Sequence, residues 1–157
     1  MGDNRASWTF EHRTLQTENY RRLFLDDVPL LDVRAPVEFA KGAFPLAHNH
    51  PILDDEQRRE IGKHYADYGQ DAAIERGLEL ATDEIRQQRL QAWSTFLLEN
   101  PGAHLYCFRG GLRSRTTQAW LAEIGVEIPL IKGGYKALRT YVLQEFEALS
   151  QQAPMLL

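Results

Sequence analysis

Short apolar runs alternate with longer amphipathic stretches along this chain. Four runs, each bounded by glycine, proline or charged residues, have the pattern of buried parallel strands: residues 29–34, 47–50, 103–107 and 126–131. Helical periodicity predicts helices at residues 17–26, from Pro36 to the break at Gly42, and at residues 53–66, 71–98, 114–124 and 135–149. Strands that alternate with helices predict an α/β fold, in which helices cover both faces of a parallel central sheet.

A long helical segment separates the second predicted strand from the third. Residues 71–98 carry apolar positions at helical spacing, so we predict one long helix there, kinked near Gly77 and ended by the Asn-Pro-Gly sequence at residues 100–102. Together with the helix at residues 53–66, it forms a helical insertion ahead of the central strand at residues 103–107.

The two ends of the chain differ from the rest. Residues 1–16 show little periodicity, and we predict an arm there, anchored by Trp8 and Phe10, ahead of one domain at residues 17–152. Residues 153–157 are an apolar run with nothing to pair with inside that domain. We predict that this run opens a further domain; a fraying tail is the alternative.

Composition narrows the possible functions. The 157 residues are 43% hydrophobic and 25% charged, which is typical of a single globular domain. The net charge of −4 argues against a surface that binds nucleic acid throughout, and DNA is not an expected partner. No apolar run approaches a membrane span and no signal-peptide pattern opens the chain, so we predict a cytoplasmic protein without membrane contact. One cysteine excludes an internal disulfide, and no Cys/His spacing predicts a metal site.

Cys107, the only cysteine, lies where a predicted strand passes into a tight loop. The glycine pair at residues 110–111 can adopt positive φ, which would turn successive backbone N–H groups inwards as an anion-binding nest. Two nearby arginines and the N-terminus of the helix predicted from Ser114 favour the thiolate over the thiol. We therefore predict that Cys107 is the catalytic nucleophile. The alternative is an ordinary strand–helix turn with a buried, inert cysteine.

The residues after Cys107 have predicted roles of their own. Arg113 either points into the loop or braces it, Ser114 either caps the helix or donates to the thiolate, and Arg109 either faces the substrate or is an ordinary surface residue. The complete anion- and substrate-binding loop is predicted to comprise Phe108, Arg109, Gly110, Gly111, Leu112, Arg113 and Ser114. If the C-terminal segments pack together, a basic rim surrounds it; solvated helix charges are the alternative. Its members are Arg109, Arg113, Arg115, Lys132, Lys136 and Arg139.

Three motifs resemble those of rhodanese domains. They are residues 31–39 (LDVRAPVEF) with 42–45 (GAFP) and 47–49 (AHN), the cysteine loop at 107–114 (CFRGGLRS), and residues 132–138 (KGGYKAL). More narrowly, the cysteine loop and the helical insertion containing residues 84–89 (EIRQQR) resemble the tRNA 2-selenouridine synthase family. The resemblance covers residues 17–157.

This resemblance implies a rhodanese-like fold and chalcogen transfer. Enzymes of the family convert 2-thiouridine to 2-selenouridine at the tRNA wobble position, with selenophosphate as selenium donor and no cofactor in the rhodanese domain. The resemblance makes Cys107 the essential cysteine, carrying a persulfide or perselenide. It also makes this chain the N-terminal part of an enzyme whose C-terminal P-loop domain, opened by residues 153–157, mainly holds the tRNA. A structural ion pair between Arg34 and Glu38 is implied as well.

The loop is one residue longer than in typical rhodanese domains. Five residues separate Cys107 from Arg113, as in cysteine phosphatases, and we expect this wider cradle to suit a tetrahedral selenophosphate or thiophosphate. Three alternative functions stay open: a stand-alone thiosulfate or persulfide sulfurtransferase, a Cys-x5-Arg phosphatase, and a protein-interaction module with a vestigial loop. The phosphatase is disfavoured by Tyr106, which stands where phosphatases commonly have histidine. His48 and His50 are expected to be structural.

Overall fold

A single parallel sheet organises residues 16–152, which are the residues that the computed structural model describes. Its strands are β1 (Gln16–Thr17), β2 (Leu30–Asp32), β3 (Ala47–Asn49), β4 (His104–Tyr106) and β5 (Leu130–Ile131). The helices are α1 (Tyr20–Leu25), α2 (Pro36–Lys41), α3 (Asp55–Tyr68), α4 (Gln70–Leu80), α5 (Asp83–Glu99), α6 (Leu112–Glu123) and α7 (Gly134–Gln152). The predicted arm, except for Gln16, and the apolar run at residues 153–157 lie outside the described residues.

The strand order places the cysteine strand at the centre of the sheet. The order is β1-β5-β4-β2-β3, and every described pair of strands is parallel. Strand β4 lies beside β2 with Leu105 opposite Leu31, and on its other side Leu105 pairs with Leu130 of β5. The predicted α/β fold is confirmed, and the architecture is compatible with a rhodanese-like domain.

Alternate residues of the strands face two separate hydrophobic cores, because side chains along a strand point to opposite faces in turn. On one face, the core contains Trp93 of α5 and Leu121 of α6; the strand residues that join it are Leu31, Leu105 and Leu130. On the other face, the core contains Leu23 of α1 and Leu138 of α7; its strand residues are Leu30, Tyr106 and Ile131. The prediction that helices cover both faces is therefore confirmed.

The helical insertion between β3 and β4 is divided differently from the prediction. Residues 71–98 are not one helix kinked near Gly77, because α4 ends at Leu80 and α5 starts at Asp83. Thr82 caps the second helix, since its hydroxyl accepts the backbone N–H of Ile85 at 3.3 Å. Gly77 lies inside α4, where the ideal position of an added Cβ is 3.7 Å from Ile61 Cδ1 of α3.

The N-terminal part of the domain also differs from the prediction. Residues 16–17 form the short edge strand β1, which pairs with β5 and which the sequence pattern did not indicate. The predicted helix at residues 17–26 starts only at Tyr20, because the side chain of Asn19, not that of Thr17, caps it by accepting the N–H of Arg22 at 3.3 Å. No helix in the described part of the chain is long and apolar enough to cross a membrane.

Candidate active site

Cys107 lies directly after the central strand, at the carboxyl edge of the sheet. It is a free cysteine and is only 3% exposed to solvent. Ligands of open parallel sheets bind at this edge, where loops join the strands to the helices that follow them. Phe108 to Gly111 form the loop, and α6 starts at Leu112 instead of near Ser114, so the helix N-terminus lies closer to the cysteine than the sequence indicated.

Helix α7 holds the cysteine loop by donating hydrogen bonds to carbonyl groups of the loop. The backbone N–H of Tyr135 donates to the carbonyl of Cys107 at 2.9 Å, and the N–H of Lys136 donates to the carbonyl of Phe108 at 3.0 Å. In a trans peptide the C=O and the following N–H point in opposite directions, and the described residues include no cis peptide bond. The N–H groups of Phe108 and Arg109 therefore point away from α7.

The amide groups of the loop have no acceptor of their own. Within the described residues, none of the N–H groups from Phe108 to Gly111 donates a hydrogen bond. The first N–H groups of α6 lack partners inside the helix, because its first such bond runs from Arg115 to the carbonyl of Gly111, at 3.2 Å. The loop and the helix start together present unpaired donors and a positive dipole end, as an anion-binding nest requires.

Glycines allow the loop to rest directly on the start of α7. Gly110 has φ +69°, and Gly134 has φ +60°. A Cβ on Gly134 would lie 2.7 Å from the nitrogen of Gly110 and 2.9 Å from the oxygen of Phe108, and nearer still to the oxygen of Cys107. The start of α7 is therefore the surface against which the cysteine loop packs.

Arg113 forms an ion pair with Glu38 of α2. Its two terminal nitrogens donate to the two carboxylate oxygens of Glu38, at 2.6 and 3.1 Å. Glu38 also accepts the N–H of Ala35 at 2.8 Å and pairs with Arg58 at 3.2 Å. Burial would lower the pKa of Arg113, but Glu38 and, after it, the nearby Cys107 sulfur outweigh burial and raise that pKa. Of the two roles left open for Arg113, the structure therefore supports bracing.

The ion pair expected between Arg34 and Glu38 does not form. Arg34 pairs instead with Asp32 through a contact of 2.7 Å between fully buried side chains, and it also donates to the carbonyl of Gly42 at 2.9 Å. Its guanidinium lies 4.0 Å from the centre of the Tyr135 ring. Each arginine has two carboxylates nearby. Asp32 pairs with Arg34 because the two residues are close in the chain, whereas α2 places Glu38 next to Arg113. Both pairs are structural.

Tyr106 precedes Cys107 in the chain but packs in the core on the opposite face of the sheet, beside the buried ion pair. The Arg34 guanidinium is 5.7 Å from its ring centre. Burial, together with the charge of Asp32, raises the pKa of Tyr106, so its hydroxyl stays protonated. Tyr106 therefore contributes packing and a neutral polar group to the core around the Asp32–Arg34 pair.

Ser114 does not cap α6, because Gly111 occupies the cap position and Ser114 is the third residue of the helix. Its side chain is fully buried, and its hydroxyl has no hydrogen-bond partner within the described residues. A buried hydroxyl normally has a partner. Donation by Ser114 to the thiolate stays a prediction.

His48 and His50 lie beside α5, each against the ring of Phe96, with ring centres 5.3 and 5.5 Å apart. The carbonyl of His50 accepts the indole N–H of Trp93 at 2.8 Å. Burial, and secondarily the neighbouring His48, lowers the pKa of His50. These contacts support the expected structural role.

Two members of the predicted basic rim have carboxylate partners. Lys132 contacts Glu18 at 3.4 Å, and Arg113 is bound to Glu38. The guanidinium of Arg109 lies 5.5 Å from the centre of the exposed Phe108 ring. Lys136 and Arg139 are exposed on the first two turns of α7.

An apolar cavity of about 90 Å³ lies beside the loop, and the sequence did not indicate it. Leu112 and Arg113 at the start of α6 form part of its wall. The remaining wall includes Ile61 of α3, Ile74 of α4 and Ile85 of α5. The helical insertion therefore packs against the first turn of the helix that follows the cysteine.

These features define an α/β domain whose cysteine lies at the carboxyl edge of the sheet, at the start of a loop whose amide groups have no acceptor within the described residues. No protein-family model matches the chain. The crystal structure of the N-terminal domain of a candidate ATP/GTP-binding protein from Clostridium difficile 630 has a similar fold. It superposes with a TM-score of 0.73 over 82% of this chain and 98% of that one, at 29% identity.

Curated proteins give a narrower relationship. The tRNA 2-selenouridine synthase of Shewanella piezotolerans is 50% identical over 143 residues, which are 91% of this chain and 39% of that protein. Those of Marinobacter nauticus and Alcanivorax borkumensis are 54% and 55% identical, over 84% and 88% of this chain. The chain is thus homologous to a segment of the tRNA 2-selenouridine synthases, as its motifs predicted, and spans less than two fifths of the length of these relatives.

Substituting Gly134 should disturb the cysteine loop specifically. Gly134→Ala forces backbone atoms of the loop to move, whereas Gly125→Ala, at φ +81°, meets no heavy atom within 4 Å. We expect urea unfolding to show a loss of about 1 kcal/mol for Gly125→Ala, from backbone strain alone. The loss for Gly134→Ala should be larger by about 2 kcal/mol. Equal losses would show that the loop does not depend on this contact.

The Glu38–Arg113 pair should make stability depend on pH. Burial would raise the pKa of Glu38, but its hydrogen bonds and charge contact with Arg113 lower it below the usual 4.5. Glu38→Gln should therefore reduce the free energy of unfolding by about 2 kcal/mol near neutral pH. The stabilisation is fully present above the unfolded-state pKa and is lost as pH falls through the folded-state value, so the two proteins should converge in acid. Urea unfolding of both proteins at a series of pH values from neutral to acid measures the difference in their free energies of unfolding. A difference unchanged in acid, or one matched by the exposed control Glu127→Gln, would contradict the assignment.

Proposed function

We propose that this chain is a chalcogen-transfer domain of an enzyme that converts 2-thiouridine to 2-selenouridine at the tRNA wobble position. The observation that carries the proposal is the position of Cys107 at the start of a loop whose amide groups find no acceptor among residues 16–152. Support comes from relatives named tRNA 2-selenouridine synthase, which share about half of its residues over most of its length.

Loading of the cysteine begins with a persulfide. The Cys107 thiolate attacks the outer sulfur of a thiosulfate-type donor, an S–S bond forms, and sulfite leaves with the electron pair of the broken bond. Water removes the phosphoryl group from selenophosphate, which releases selenide and phosphate. Selenide then attacks the cysteine sulfur of the persulfide and displaces hydrosulfide, which leaves a perselenide on Cys107. No electrons are gained or lost overall in this exchange.

Delivery transfers the selenium to the base. The terminal selenium of the perselenide adds to C2 of the thiouracil ring, and the ring sulfur leaves as hydrosulfide. A low-molecular-weight thiol then attacks the cysteine sulfur and forms a mixed disulfide, while the S–Se electron pair remains on selenium. The product is 2-selenouridine. A second thiol regenerates Cys107 by disulfide exchange.

The loop stabilises the negative charge that every step places near Cys107. The amide donors from Phe108 to Gly111 and the N-terminus of α6 fit this task, because fixed donors need no rearrangement as charge develops. Arg113, which is held by both oxygens of Glu38, supports the loop geometry by fixing the first turn of α6. This pairing leaves the arginine less free to clamp a phosphate and disfavours the phosphatase alternative.

Cys107 should be essential both for its own loading and for delivery of selenium to the base. We expect Cys107→Ser to lose persulfide loading, measured as thiocyanate formation from thiosulfate and cyanide. The variant should also fail to restore selenouridine when the full-length gene complements a deficient strain, whereas the exposed-surface control Glu127→Gln should restore it. Selenouridine in the Cys107→Ser strain would refute the carrier role. Thiocyanate formation without selenouridine from the unmodified full-length protein would favour a stand-alone sulfurtransferase.

The wider loop should bind tetrahedral anions. We expect thiophosphate, a stable analogue of selenophosphate, to bind to the reduced protein and to protect Cys107 from alkylation, with sulfate as a weaker competitor. Gly110→Ala should weaken this protection, because Gly110 has φ +69° and a Cβ there would lie 3.0 Å from the nitrogen of Gly133. Equal alkylation rates with and without thiophosphate would argue against an anion site over the sulfur.

A further inference from the structure

The cysteine loop displays an aromatic ring on the protein surface. Phe108, the residue after Cys107, is 36% exposed. One side of its ring stacks on Tyr135 of α7, with ring centres 6.4 Å apart and planes 25° apart. The Arg109 guanidinium lies over the ring at 5.5 Å. Because Phe108 is partly exposed and directly follows Cys107, part of its surface is accessible next to the cysteine.

This stack is anchored in the core. The Tyr135 ring lies 5.3 Å from the ring of Phe44 and 4.0 Å from the buried Arg34 guanidinium. The N–H of Tyr135 also holds the carbonyl of Cys107 at 2.9 Å. The Phe108 ring and the Cys107 backbone are therefore both attached to Tyr135. A planar group stacked on Phe108 would be held at a set distance from the sulfur.

Cations flank the stack along α7. The N–H of Lys136 donates to the carbonyl of Phe108, which places this residue next to the loop. Arg139 lies three residues further on, on the same side of the helix, and both side chains are exposed. No ion pair within the described residues engages Arg109, Lys136 or Arg139. An aromatic ring beside cations that have no carboxylate partner is the arrangement with which proteins bind single-stranded nucleic acid.

We propose that Phe108 is the stacking site for the reacting base of a single-stranded RNA loop, and that Arg109, Lys136 and Arg139 contact its phosphates. This inference rests on the proposed function, because a base that receives a chalcogen from Cys107 must come within bonding reach of the sulfur. The ring next in sequence to the cysteine is placed to orient it.

The interaction energies favour a base over the Arg109 guanidinium as the group that stacks on the Phe108 ring. An exposed cation–π contact is worth about 0.5–1 kcal/mol. Stacking of a base on an aromatic side chain is worth about 1–3 kcal/mol. The displaced guanidinium remains attached to the loop, beside the incoming strand, where it can pair with a phosphate.

The test uses the full-length protein and an anticodon stem-loop RNA that carries 2-thiouridine at the wobble position. Affinity is measured by fluorescence anisotropy, the KM for RNA by turnover, and Cys107 loading by thiocyanate formation. Phe108→Leu keeps an apolar side chain but removes the ring, and Phe108→Trp restores a ring. Phe146→Leu is the matched control, because Phe146 is a 65% exposed aromatic residue further along α7.

We expect Phe108→Leu to weaken RNA binding about tenfold and to raise KM similarly, a loss larger than any loss in loading. Phe108→Trp should restore affinity, and Phe146→Leu should bind as the unmodified protein does. Lys136→Gln should lower the slope of log affinity against log salt by about 0.7, the value for one single-strand phosphate contact.

Two results would overturn the inference. One is equal RNA affinity for Phe108→Leu and the unmodified protein; the other is a loss in Phe108→Leu that is no larger for RNA binding than for loading. Failure of the proposed function is a different result, because the unmodified full-length protein would then make no selenouridine.

Discussion

The site depends on two hydrogen bonds from the first turn of α7 to the carbonyls of Cys107 and Phe108. Each peptide unit that gives its oxygen to α7 turns its N–H the opposite way. The same contacts therefore fix the loop and create its unpaired donors. An anchor that bound the loop amides instead, such as a side-chain acceptor, would have consumed the groups that an anion needs.

Two ion pairs then secure the surroundings of this loop without entering it. Arg113 ties the start of α6 to Glu38 of α2. Arg34 pairs with Asp32, the last residue of β2, and its guanidinium lies over the rings of Tyr106 and Tyr135. Charges buried in this way are tolerated because each is paired and hydrogen-bonded. Their contribution is to hold backbone positions, and neither pair engages the cysteine, the loop amides or the ring of Phe108.

Several features were accessible from the sequence because they depend on local pattern. Strand β4, helix α2 after Pro36 and the loop after Cys107 each have an apolar run, a proline or a glycine pair at the necessary offset. The division of the insertion was missed at Thr82, because a capping threonine inside a periodic helical segment does not differ from an ordinary helical one in the pattern. Strand β1 is two residues long and has no pattern of its own; only its pairing with β5 makes it a strand.

The sequence by itself determined the alternation of strands and helices, the position of the single cysteine at the end of a strand, and the glycines that let a tight loop follow it. Tertiary structure alone decided which charges pair, because Asp32 and Glu38 offer equivalent carboxylates and only the path of α2 brings Glu38 to Arg113. It also decided that Gly134 supports the loop, that the buried Ser114 hydroxyl has no partner among residues 16–152, and that the partly exposed Phe108 ring stacks on Tyr135. Those facts depend on contacts between segments far apart in the chain, and no local pattern of residues encodes such distances.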